Sequence, residues 1–296
     1  MIHFPTRVED IGDGEIRAGG TDLVDRQKRR ISVGPTQDLR DLSGLDTSDI
    51  PSGAAIGARV RLSDLTAHPE IQRRYAALAE AAGSLATPQI RARATVGGAL
   101  LQRTRCSYFR DTSVSCYKRG GSTCPARAGD RVRLAAIESS PCLSVHPSTL
   151  AAVLIAYDAT TRIHAGPAAP IAALYGDGSD PTRDHQLPPG AVLIGVDLPS
   201  VVDERSAYLR ITGRTHAEWP LVEIVGRRGP GVLRLVVGGI AGVPIDLSPV
   251  AGAIAAGRAW EPAWRRMALT WRLSEPAAYK LDLVEAAIHS VLERLA

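Results

Sequence analysis

The stretch TPQIRARATVGGAL, residues 87 to 100, contains a paired-glycine turn at Thr95-Val96-Gly97-Gly98-Ala99. A second turn of this kind, Ala18-Gly19-Gly20-Thr21-Asp22, follows a predicted strand near the amino terminus. Paired glycines let the backbone turn with positive φ and bring N–H groups close to a ligand, which is how concave phosphate sites are built. One such turn usually only reverses the chain. Two of them could grip the two phosphates of a dinucleotide if the fold brings them together.

Other phosphate-binding motifs are absent from the sequence. The chain has no G-x-G-x-x-G and no G-x-x-x-x-G-K-[ST] pattern, so neither a Rossmann site nor a P-loop is predicted. The 35 basic and 31 acidic residues are spread without a long run of like charge. We therefore predict no nucleic-acid partner.

Composition indicates an ordinary globular protein. With 296 residues, 45% of them hydrophobic and 22% charged, the chain can form one large or two medium domains. No stretch is apolar for long enough to span a membrane, and residues 1 to 5 do not begin a signal peptide. We expect the chain to fold in the cytoplasm. Export together with a signal-bearing partner stays open.

Strand-like and helix-like segments alternate in the first half of the chain. Short strands are predicted at residues 14–18, 30–33 and 54–60. Pro69 suits the first position of a helix that we predict to end near Gly83. The apolar stripe of this helix consists of Ile71, Tyr75, Leu78 and Ala82. Ser148 is the predicted N-cap of a second helix, which runs through Ala156.

The composition changes near residue 180. Residues 176–190 carry turn formers and almost no apolar side chains, as a boundary loop should. After this loop, a small and largely antiparallel sheet is predicted from the segments 192–198, 207–211, 221–225 and 232–237. A final helix has one apolar face, made of Leu281, Val284, Ile288, Val291 and Leu295. The pattern predicts two α+β domains.

All four cysteines lie in one segment of the chain, at Cys106, Cys116, Cys124 and Cys142. The segment is rich in Arg, Ser, Gly and Pro, and it has too little apolar content to order itself. Four thiolates that bind one metal centre would order it, because the binding energy becomes folding energy. A metal centre is therefore the first prediction for this segment.

Three other roles for the cysteines compete with an iron–sulfur cluster. Free structural cysteines usually lie in apolar runs, and disulfides are disfavoured in a cytoplasmic protein. A Cys₄ zinc site competes, because thiolates suit both zinc and iron–sulfur clusters. Gaps of nine, seven and seventeen residues are looser than the close pairs of structural zinc sites, which favours a cluster. A zinc-stapled module that binds a nucleotide without redox chemistry stays as the alternative.

Residues 87 to 100 resemble the second flavin loop of the FAD-binding subunits of molybdopterin dehydrogenases, where the pattern Q-I-R-N-x-A-T-x-G-G-N-L is usual. Residues 18 to 23 resemble the first pyrophosphate loop of the same family. Further matches are Ile56-Gly57-Ala58, the helix over 69–83, Gly238-Gly239-Ile240-Ala241 and Tyr279-Lys280-Leu281. The resemblance therefore covers nearly the whole chain.

The resemblance implies an α+β fold and FAD as a cofactor. A two-part PCMH-type FAD-binding domain would occupy residues 1–176, with a cysteine-rich insertion at 103–145. A small α+β domain like that of the CO dehydrogenase flavoprotein would follow at 185–296. The implied FAD-binding residues are Ala18, Gly19, Gly20, Thr21, Asp22, Leu23, Gln89, Ile90, Thr95, Val96, Gly97, Gly98 and Ala99. No catalytic acid or base is predicted, because the seven histidines are scattered; His146 is the one to watch.

A narrower likeness concerns the run from Gln102 to Asp111. It resembles the medium subunits of bacterial aldehyde oxidoreductases, which carry a [4Fe–4S] cluster beside the FAD. The implied cluster ligands are Cys106, Cys116, Cys124 and Cys142. In such a heterotrimer, a large subunit holds a molybdenum–pterin cofactor and a small subunit holds [2Fe–2S] clusters. This chain would pass electrons from them to an external acceptor. A flavin subunit of the hydroxybenzoyl-CoA reductase type is an alternative with the same arrangement.

The sequence departs from the family pattern at several positions. Ala99 replaces an Asn that could hydrogen-bond flavin or phosphate, and Ala92 replaces the Asn that usually follows Arg91. Thr149 stands where the branch usually has Asp. The first loop also begins after fewer residues than is typical. These changes predict an FAD affinity or flavin potential different from that of relatives.

Overall fold

The computed structural model describes residues 1–49, 54–215 and 217–296. Its strands are β1 Ile2–His3, β2 Glu15–Arg17, β3 Thr36–Asp38, β4 Ser48–Asp49, β5 Ala54–Gly57, β6 Thr160–Ile163, β7 Ala169–Pro170, β8 Leu193–Leu198, β9 Arg205–Ile211, β10 Val222–Gly229, β11 Val232–Gly238 and β12 Ile245–Asp246. Its α-helices are α1 Leu23–Lys28, α2 Leu62–Ala67, α3 Pro69–Arg74, α4 Ala76–Ser84, α5 Pro88–Arg91, α6 Val96–Leu100, α7 Ser107–Arg110, α8 Thr149–Ala156, α9 Ser248–Ala255, α10 Glu261–Leu269 and α11 Lys280–Leu295. His216, one of the seven histidines, lies outside the described residues.

A small parallel sheet at the amino terminus, in the order β1–β3–β2, carries the first glycine turn at the end of β2. Its central strand consists of Thr36, Gln37 and Asp38, which are polar and almost fully buried. The Gln27 amide donates to the Thr36 hydroxyl at 2.9 Å, and Arg40 donates to the Asp38 carboxylate at 2.9 Å. These bonds satisfy polar groups that would otherwise be costly to bury.

The strand predicted at residues 30–33 is wrong. Helix α1 ends at Lys28, and Arg30 then adopts a left-handed backbone (φ 57°) that a strand cannot contain. The N–H of Ile31 bonds back to the Arg26 carbonyl at 2.9 Å, which closes the turn. The strand that follows is β3, whose polar sequence gives no hydrophobic signal.

A five-stranded sheet in the order β4–β5–β8–β6–β7 has β8 at its centre. Val196 of β8 pairs with Ile56 of β5 on one side and with Thr161 of β6 on the other. The assignment of residues 192–198 to the C-terminal sheet is therefore wrong, because this strand completes the sheet begun by β5. The domain limits 1–176 and 185–296 stay a prediction.

The C-terminal strands form the predicted antiparallel sheet, in the order β12–β11–β10–β9. Cross-strand neighbours Val225 and Val236 pack into a core shared with α4 and α8. The alternate residues Ile224 and Val237 pack on the other face, into a core shared with α11. Both faces of the sheet are thus covered by helices.

Helix α11 lies close to β10 because of Gly226. A Cβ on this residue would be 2.4 Å from Val291 Cγ1, so only glycine admits the helix at this distance. The predicted apolar face of the helix is confirmed in its buried members Val284, Ile288, Val291 and Leu295, and Leu281 is partly buried beside them.

The predicted helix over residues 69–83 is two helices. Tyr75 leaves the helical region (φ −129°, ψ 52°) and divides α3 from α4. Its ring is fully buried against the edge of Tyr157, at 5.3 Å between centroids, and its hydroxyl donates to the Pro199 carbonyl at 2.9 Å. Gly83 does not end the second helix; it lies inside α4, where Thr66 approaches to 3.1 Å of the Cβ position.

Ser148 caps α8 as predicted, because its hydroxyl accepts the N–H of Ala151 at 3.3 Å. The segment before it, residues 103–145, is irregular apart from α7 and short 3₁₀ turns. It nevertheless has a small apolar core of its own, formed by Ala126, Leu134 and Leu143.

Two of the family-like motifs meet at Lys280, which is fully buried. Its ammonium group donates to the carbonyls of Leu134 and Gly239, each at 2.8 Å, and to that of Arg133 at 3.1 Å. The cysteine-rich segment is thereby attached to the C-terminal sheet and to α11.

Candidate functional site

The two glycine turns line one cleft of about 390 Å³. The first turn contributes residues 18 to 23, and the second contributes Thr95, Gly97 and Gly98. A third wall comes from the loop before β8 and consists of Arg183, His185, Leu187, Pro188, Pro189, Ala191, Val192 and Leu193. A cleft of this size lies in the usual range of about 300–1,000 Å³ for small-molecule sites.

The two turns touch each other at Gly19. A Cβ on Gly19 would lie 1.8 Å from the carbonyl oxygen of Arg93, two residues before Thr95. Only a residue without a side chain permits this approach. Gly20 follows with φ 75°, a conformation that glycine adopts without strain. The juxtaposition that the sequence left open is therefore present.

The two turns differ in which N–H groups they leave for a ligand. In the second turn, Val96 and Gly97 donate to the carbonyls of Val60 and Ala58 at 2.9 and 2.8 Å. Gly98 donates to the Thr95 hydroxyl at 3.2 Å. Each of these three amides thus already has an acceptor within the protein, and the assignment of the second turn to phosphate stays a prediction.

The first turn keeps its amides available. Within the described ranges, the N–H groups of Gly19, Gly20 and Thr21 have no hydrogen-bond acceptor in the protein, and all three residues line the cleft. Backbone amides without partners on a concave surface are typical of anion sites.

Two arginines add positive charge to the cleft. Arg59 donates to the carbonyls of Arg40 and Leu42, and Arg183 donates to that of Leu187 at 3.0 Å. In the part of the chain that the structure describes, neither guanidinium has a carboxylate within 4 Å. Their charge is therefore available to a bound anion.

Four of the predicted FAD-binding residues lie outside the cleft lining. Gln89 and Ile90 are exposed in α5, whereas Val96 and Ala99 are buried in the core. Gln102 lines the cleft instead and donates to the Ala99 carbonyl at 2.9 Å. The position of the missing Asn is thus a core position in this chain.

Sequence reasoning missed Arg59, Gln102 and the whole third wall of the cleft. The loop over 176–190 was assigned only to a domain boundary. One signal is present in the sequence: Leu187 on one side and Ala191 to Leu193 on the other flank the turn formers Pro188-Pro189-Gly190 with apolar side chains.

Asp22 connects the first turn to the cysteine-rich segment. Its carboxylate accepts from Arg26 at 2.9 Å, from Arg110 at 2.7 Å and from the N–H of Arg103 at 3.2 Å. Burial raises the pKa of Asp22, but Arg105 and the two hydrogen-bonded arginines outweigh burial and hold that pKa below its ordinary value. The group stays ionised at neutral pH.

Asp184 makes a second connection of the same kind. This carboxylate is 3% exposed and accepts from Arg103 at 2.6 Å, Lys118 at 3.0 Å and the N–H of Thr104 at 3.3 Å. Burial raises its pKa, and the two cations outweigh burial and lower it. The cleft loop that contains His185 is therefore fixed to the cysteine-rich segment.

The four cysteines lie near one another. The thiols of Cys124 and Cys142 share a hydrogen bond, which raises the pKa of Cys124 and lowers that of Cys142. Cys106 is close enough to Cys116 and Cys142 for their charges to interact, although burial is the larger cause of its raised pKa. None of the four is in a disulfide.

Backbone N–H groups point at several of these sulfurs. Tyr108 and Phe109 donate to Cys106, and Ala126 and Leu143 donate to Cys124. The sulfur of Cys142 lies 3.4 Å from the Ser144 hydroxyl. Donors of this kind stabilise thiolates.

The thiols are not gathered around one point. Over residues 1–49, 54–215 and 217–296, no three His, Cys, Asp or Glu side chains are close enough together to hold a single metal ion. The [4Fe–4S] prediction is not confirmed by the arrangement and stays a proposal.

The two histidines nearest the site are both neutral at pH 7. Burial lowers the pKa of His146 and of His185 to about 4. His146 accepts the N–H of Ser148 at 3.3 Å and packs on the Tyr175 ring, with 4.2 Å between centroids. These contacts make it a structural residue of the loop before α8.

Comparison with known proteins decides the family. A family model described as the FAD binding domain in molybdopterin dehydrogenase matches residues 8–201, well over half of the chain. The chain belongs to this family. FAD is accordingly its cofactor, and the prediction of an oxidoreductase subunit is confirmed.

One relative in the family is the aldehyde oxidoreductase FAD-binding subunit PaoB of Escherichia coli (strain K12). It is 33% identical over 288 residues, which cover 93% of this chain and 84% of the relative.

Solved structures confirm the α+β fold. Carbon monoxide dehydrogenase from Hydrogenophaga pseudoflava matches with a TM-score of 0.71 at 20% identity, over 99% of this chain and 96% of that one. Quinoline 2-oxidoreductase from Pseudomonas putida 86 matches with a TM-score of 0.60 at 17% identity, over 85% and 78%. Identities this low show the fold alone. Among the described residues no helix is both long and apolar enough for a membrane span.

Proposed function

We propose that the cleft between the two glycine turns binds FAD, with the pyrophosphate against the first turn. The contact of Gly19 with the Arg93 carbonyl carries this proposal, because it brings both turns to one cleft. The available amides of Gly19, Gly20 and Thr21 would bind phosphate oxygens. Arg59 would offset their charge, as cations at phosphate sites do.

The flavin ring would lie against the third wall of the cleft. This wall offers apolar contact from Leu187, Pro188, Ala191 and Val192. Such a surface suits a flat ring system, and it would restrict water at the site. FAD supplies the redox chemistry, since it accepts electrons singly and delivers a pair; the protein positions it and tunes its potential.

The second part of the proposal is a [4Fe–4S] cluster held by Cys106, Cys116, Cys124 and Cys142. The chemistry of the donor set fits, because all four are free thiols and three accept backbone N–H bonds. A tetrahedral zinc ion would need sulfurs about 3.8 Å apart, given Zn–S bonds of about 2.3 Å. A cluster holds its thiolates farther apart because each binds a different iron atom. The gaps of nine, seven and seventeen residues between the cysteines along the chain favour the cluster.

The subunit would act in electron transfer within a molybdenum-hydroxylase complex of the aldehyde or xanthine type. Its partners would be a large subunit with the molybdenum–pterin cofactor and a small subunit with [2Fe–2S] clusters. A cluster in the cysteine-rich segment would be adjacent to the cleft, because Asp22 and Asp184 link the two regions. Folding in the cytoplasm stays a prediction from the sequence.

The first experiment is metal analysis with an absorption spectrum of protein purified without oxygen. We expect flavin bands near ~450 nm together with a broad iron–sulfur shoulder and about four iron atoms per chain. Flavin with zinc and no iron would retain the FAD site but overturn the cluster. A colourless zinc protein would overturn both and favour a nucleotide-binding module without redox chemistry.

The second experiment replaces one ligand. Cys116→Ser should remove the iron–sulfur shoulder and leave the flavin bands, because Cys116 does not line the cleft. The matched control is Ser122→Ala, an exposed change in the same segment that should alter neither absorption. If Cys116→Ser does not fold, Cys124→Ser tests the same point. Unchanged iron content in both variants would contradict the ligand assignment.

A further inference from the structure

A second pocket lies between the end of α1 and the cysteine-rich segment. It has a volume of about 350 Å³, and we call it the basic pocket. Five cationic side chains line it, together with the carboxylate of Glu15: Arg26, Arg30, Arg103, Lys118 and Arg119. Such a concentration of one sign of charge in a concavity attracts anions.

Three of the five cations are neutralised by the protein. Arg26 pairs with Glu15 at 2.5 Å and with Asp22 at 2.9 Å. Arg103 and Lys118 share Asp184. Each of the three cations therefore has a carboxylate partner, although Asp184 serves two of them and Asp22 also binds Arg110.

Among the described residues Arg30 and Arg119 form no ion pair, although the Asp111 carboxylate is near enough to Arg119 for their charges to interact. Neither has a carboxylate within 4 Å in the part of the chain that the structure describes. Arg119 is held in place by its bonds to the carbonyls of Asp111 at 2.6 Å and Val114 at 2.5 Å. Arg30 occupies the left-handed turn after α1, closed by its N–H bond to Gln27 at 3.0 Å. The Arg119 guanidinium is therefore held by hydrogen bonds, and the backbone of Arg30 is fixed by the turn.

The size of the uncompensated charge indicates the ligand. Two guanidinium groups carry a charge of two, which a single carboxylate would only half neutralise. A phosphate monoester carries about −1.5 to −2 at pH 7 and has three acceptor oxygens. Guanidinium groups match these oxygens in geometry, and the Thr112 hydroxyl at the pocket can add a donor.

We propose that the basic pocket is a binding site for a phosphate dianion, either inorganic phosphate or the terminal phosphate of a small monoester. It shares Glu15, Arg26 and Arg103 with the FAD cleft but has its own pair of cations in Arg30 and Arg119. The site is separate from the one proposed for FAD, and it requires neither flavin nor cluster.

The test is calorimetric titration of inorganic phosphate into the full-length protein saturated with FAD, at pH 7.5 and constant ionic strength. We expect one saturable site with a dissociation constant of about 1 mM or below. Arg30→Gln should weaken binding about tenfold or more, because it removes a charge-assisted hydrogen bond. The matched control is Arg29→Gln, since Arg29 is the neighbouring residue, pairs with Asp25 at 3.1 Å and lies outside the pocket. It should change the affinity less than about twofold.

Further titrations distinguish inorganic phosphate from phosphate monoesters, and the basic pocket from the FAD cleft. Glycerol 2-phosphate that binds as tightly as inorganic phosphate would extend the site to monoesters. Dimethyl phosphate, a monoanion, should bind much more weakly, and equal binding would overturn the dianion assignment. An absence of saturable binding, an equal effect of Arg29→Gln, or loss of binding on saturation with FAD would overturn the separate site. FAD binding is followed by its own absorbance, so failure of that proposal is recorded independently.

Discussion

Gly19 is the residue at which the two glycine turns touch, so it is the most sensitive position in the cleft. A methyl group there would collide with the Arg93 carbonyl and force the two turns apart. We expect Gly19→Ala to cost about 1–3 kcal/mol at this contact, which corresponds to about 5- to 150-fold in FAD affinity. Flavin fluorescence during titration of the apoprotein with FAD measures the change.

Gly34→Ala is the control for this substitution. Among the described residues nothing lies within 4 Å of the Cβ position of Gly34, and Gly34 does not line the cleft. Its FAD affinity should match that of the unmodified protein. Equal affinities for Gly19→Ala and the unmodified protein would show that the turns do not meet at the ligand.

Because of Asp22, the free energy of unfolding should fall at acidic pH. Its folded-state pKa is held below the ordinary aspartate value of 3.8, so the folded form binds its proton more weakly than the unfolded chain does. The stabilisation is fully present above the unfolded pKa and is lost as the pH falls through the folded value. Chemical denaturation between about pH 5 and pH 3 should show stability falling more steeply for the unmodified protein than for Asp22→Asn. Parallel curves would contradict the role of the ion pairs with Arg26 and Arg110.

At the scale of elements, the sequence predicted a helix, strand or cap correctly wherever a local residue pattern determines it. The cap at Ser148, the apolar face of α11 and the β-branched strands β9 to β11 were all predictable from sequence. Strand β3 was not, because its residues are polar and are satisfied only by partners such as Gln27 and Arg40. The break at Tyr75 likewise depends on distant groups, the Tyr157 ring and the Pro199 carbonyl.

In the candidate site, too, local features were predictable from the sequence and features that depend on distant residues were not. The glycine turns were visible in the sequence because glycine pairs are a local feature. The sequence did not show which backbone amides lack an acceptor. The N–H of Gly97, for example, donates to the carbonyl of Ala58, a residue 39 positions away. The third wall was also hidden, because its loop approaches the cleft only when β8 enters the sheet.

In the loop around Asp184, removal of the carboxylate charge should lower the free energy of unfolding substantially. Asp184→Asn would leave Lys118, whose side chain is 6% exposed, without its carboxylate. Breaking a buried pair on one side costs about 3–5 kcal/mol. We expect a loss of about 3 kcal/mol in the free energy of unfolding, measured by urea denaturation.

Asp180→Asn is the matched control, since Asp180 lies in the same loop and, within the described ranges, its carboxylate accepts hydrogen bonds only from the local Thr182. Its cost should stay below about 1 kcal/mol. If both variants lose the same stability, the Asp184 pairs contribute nothing beyond a surface carboxylate.

At the scale of the whole molecule, one hydrophobic core joins the five-stranded sheet, through Val196, to the C-terminal sheet. Val225 and Val236 of the C-terminal sheet belong to the same buried cluster as Leu78 of α4 and Leu154 of α8. Because this core cannot be divided without exposing apolar surface, we expect a single cooperative unfolding transition.

Intrinsic probes can measure this cooperativity. All four tryptophans, Trp219, Trp260, Trp264 and Trp271, lie in the C-terminal part, whereas bound FAD reports on the cleft. Tryptophan emission and flavin release should follow the same curve against urea concentration. Two separate midpoints would mean that the two halves unfold independently.

The central place of β8 in its sheet sets an order of events during biosynthesis. Strands β5 and β6 both need β8 as their neighbour, so the sheet cannot close until residue 198 has left the ribosome. The segment that contains Cys106 to Cys142 is made well before that point and stays on an unfinished scaffold. Non-local pairing of this kind is slow and exposes unpaired strand edges. A nascent chain stalled before residue 193 should therefore depend most on chaperones, at the stage when its thiols are still open to oxidation.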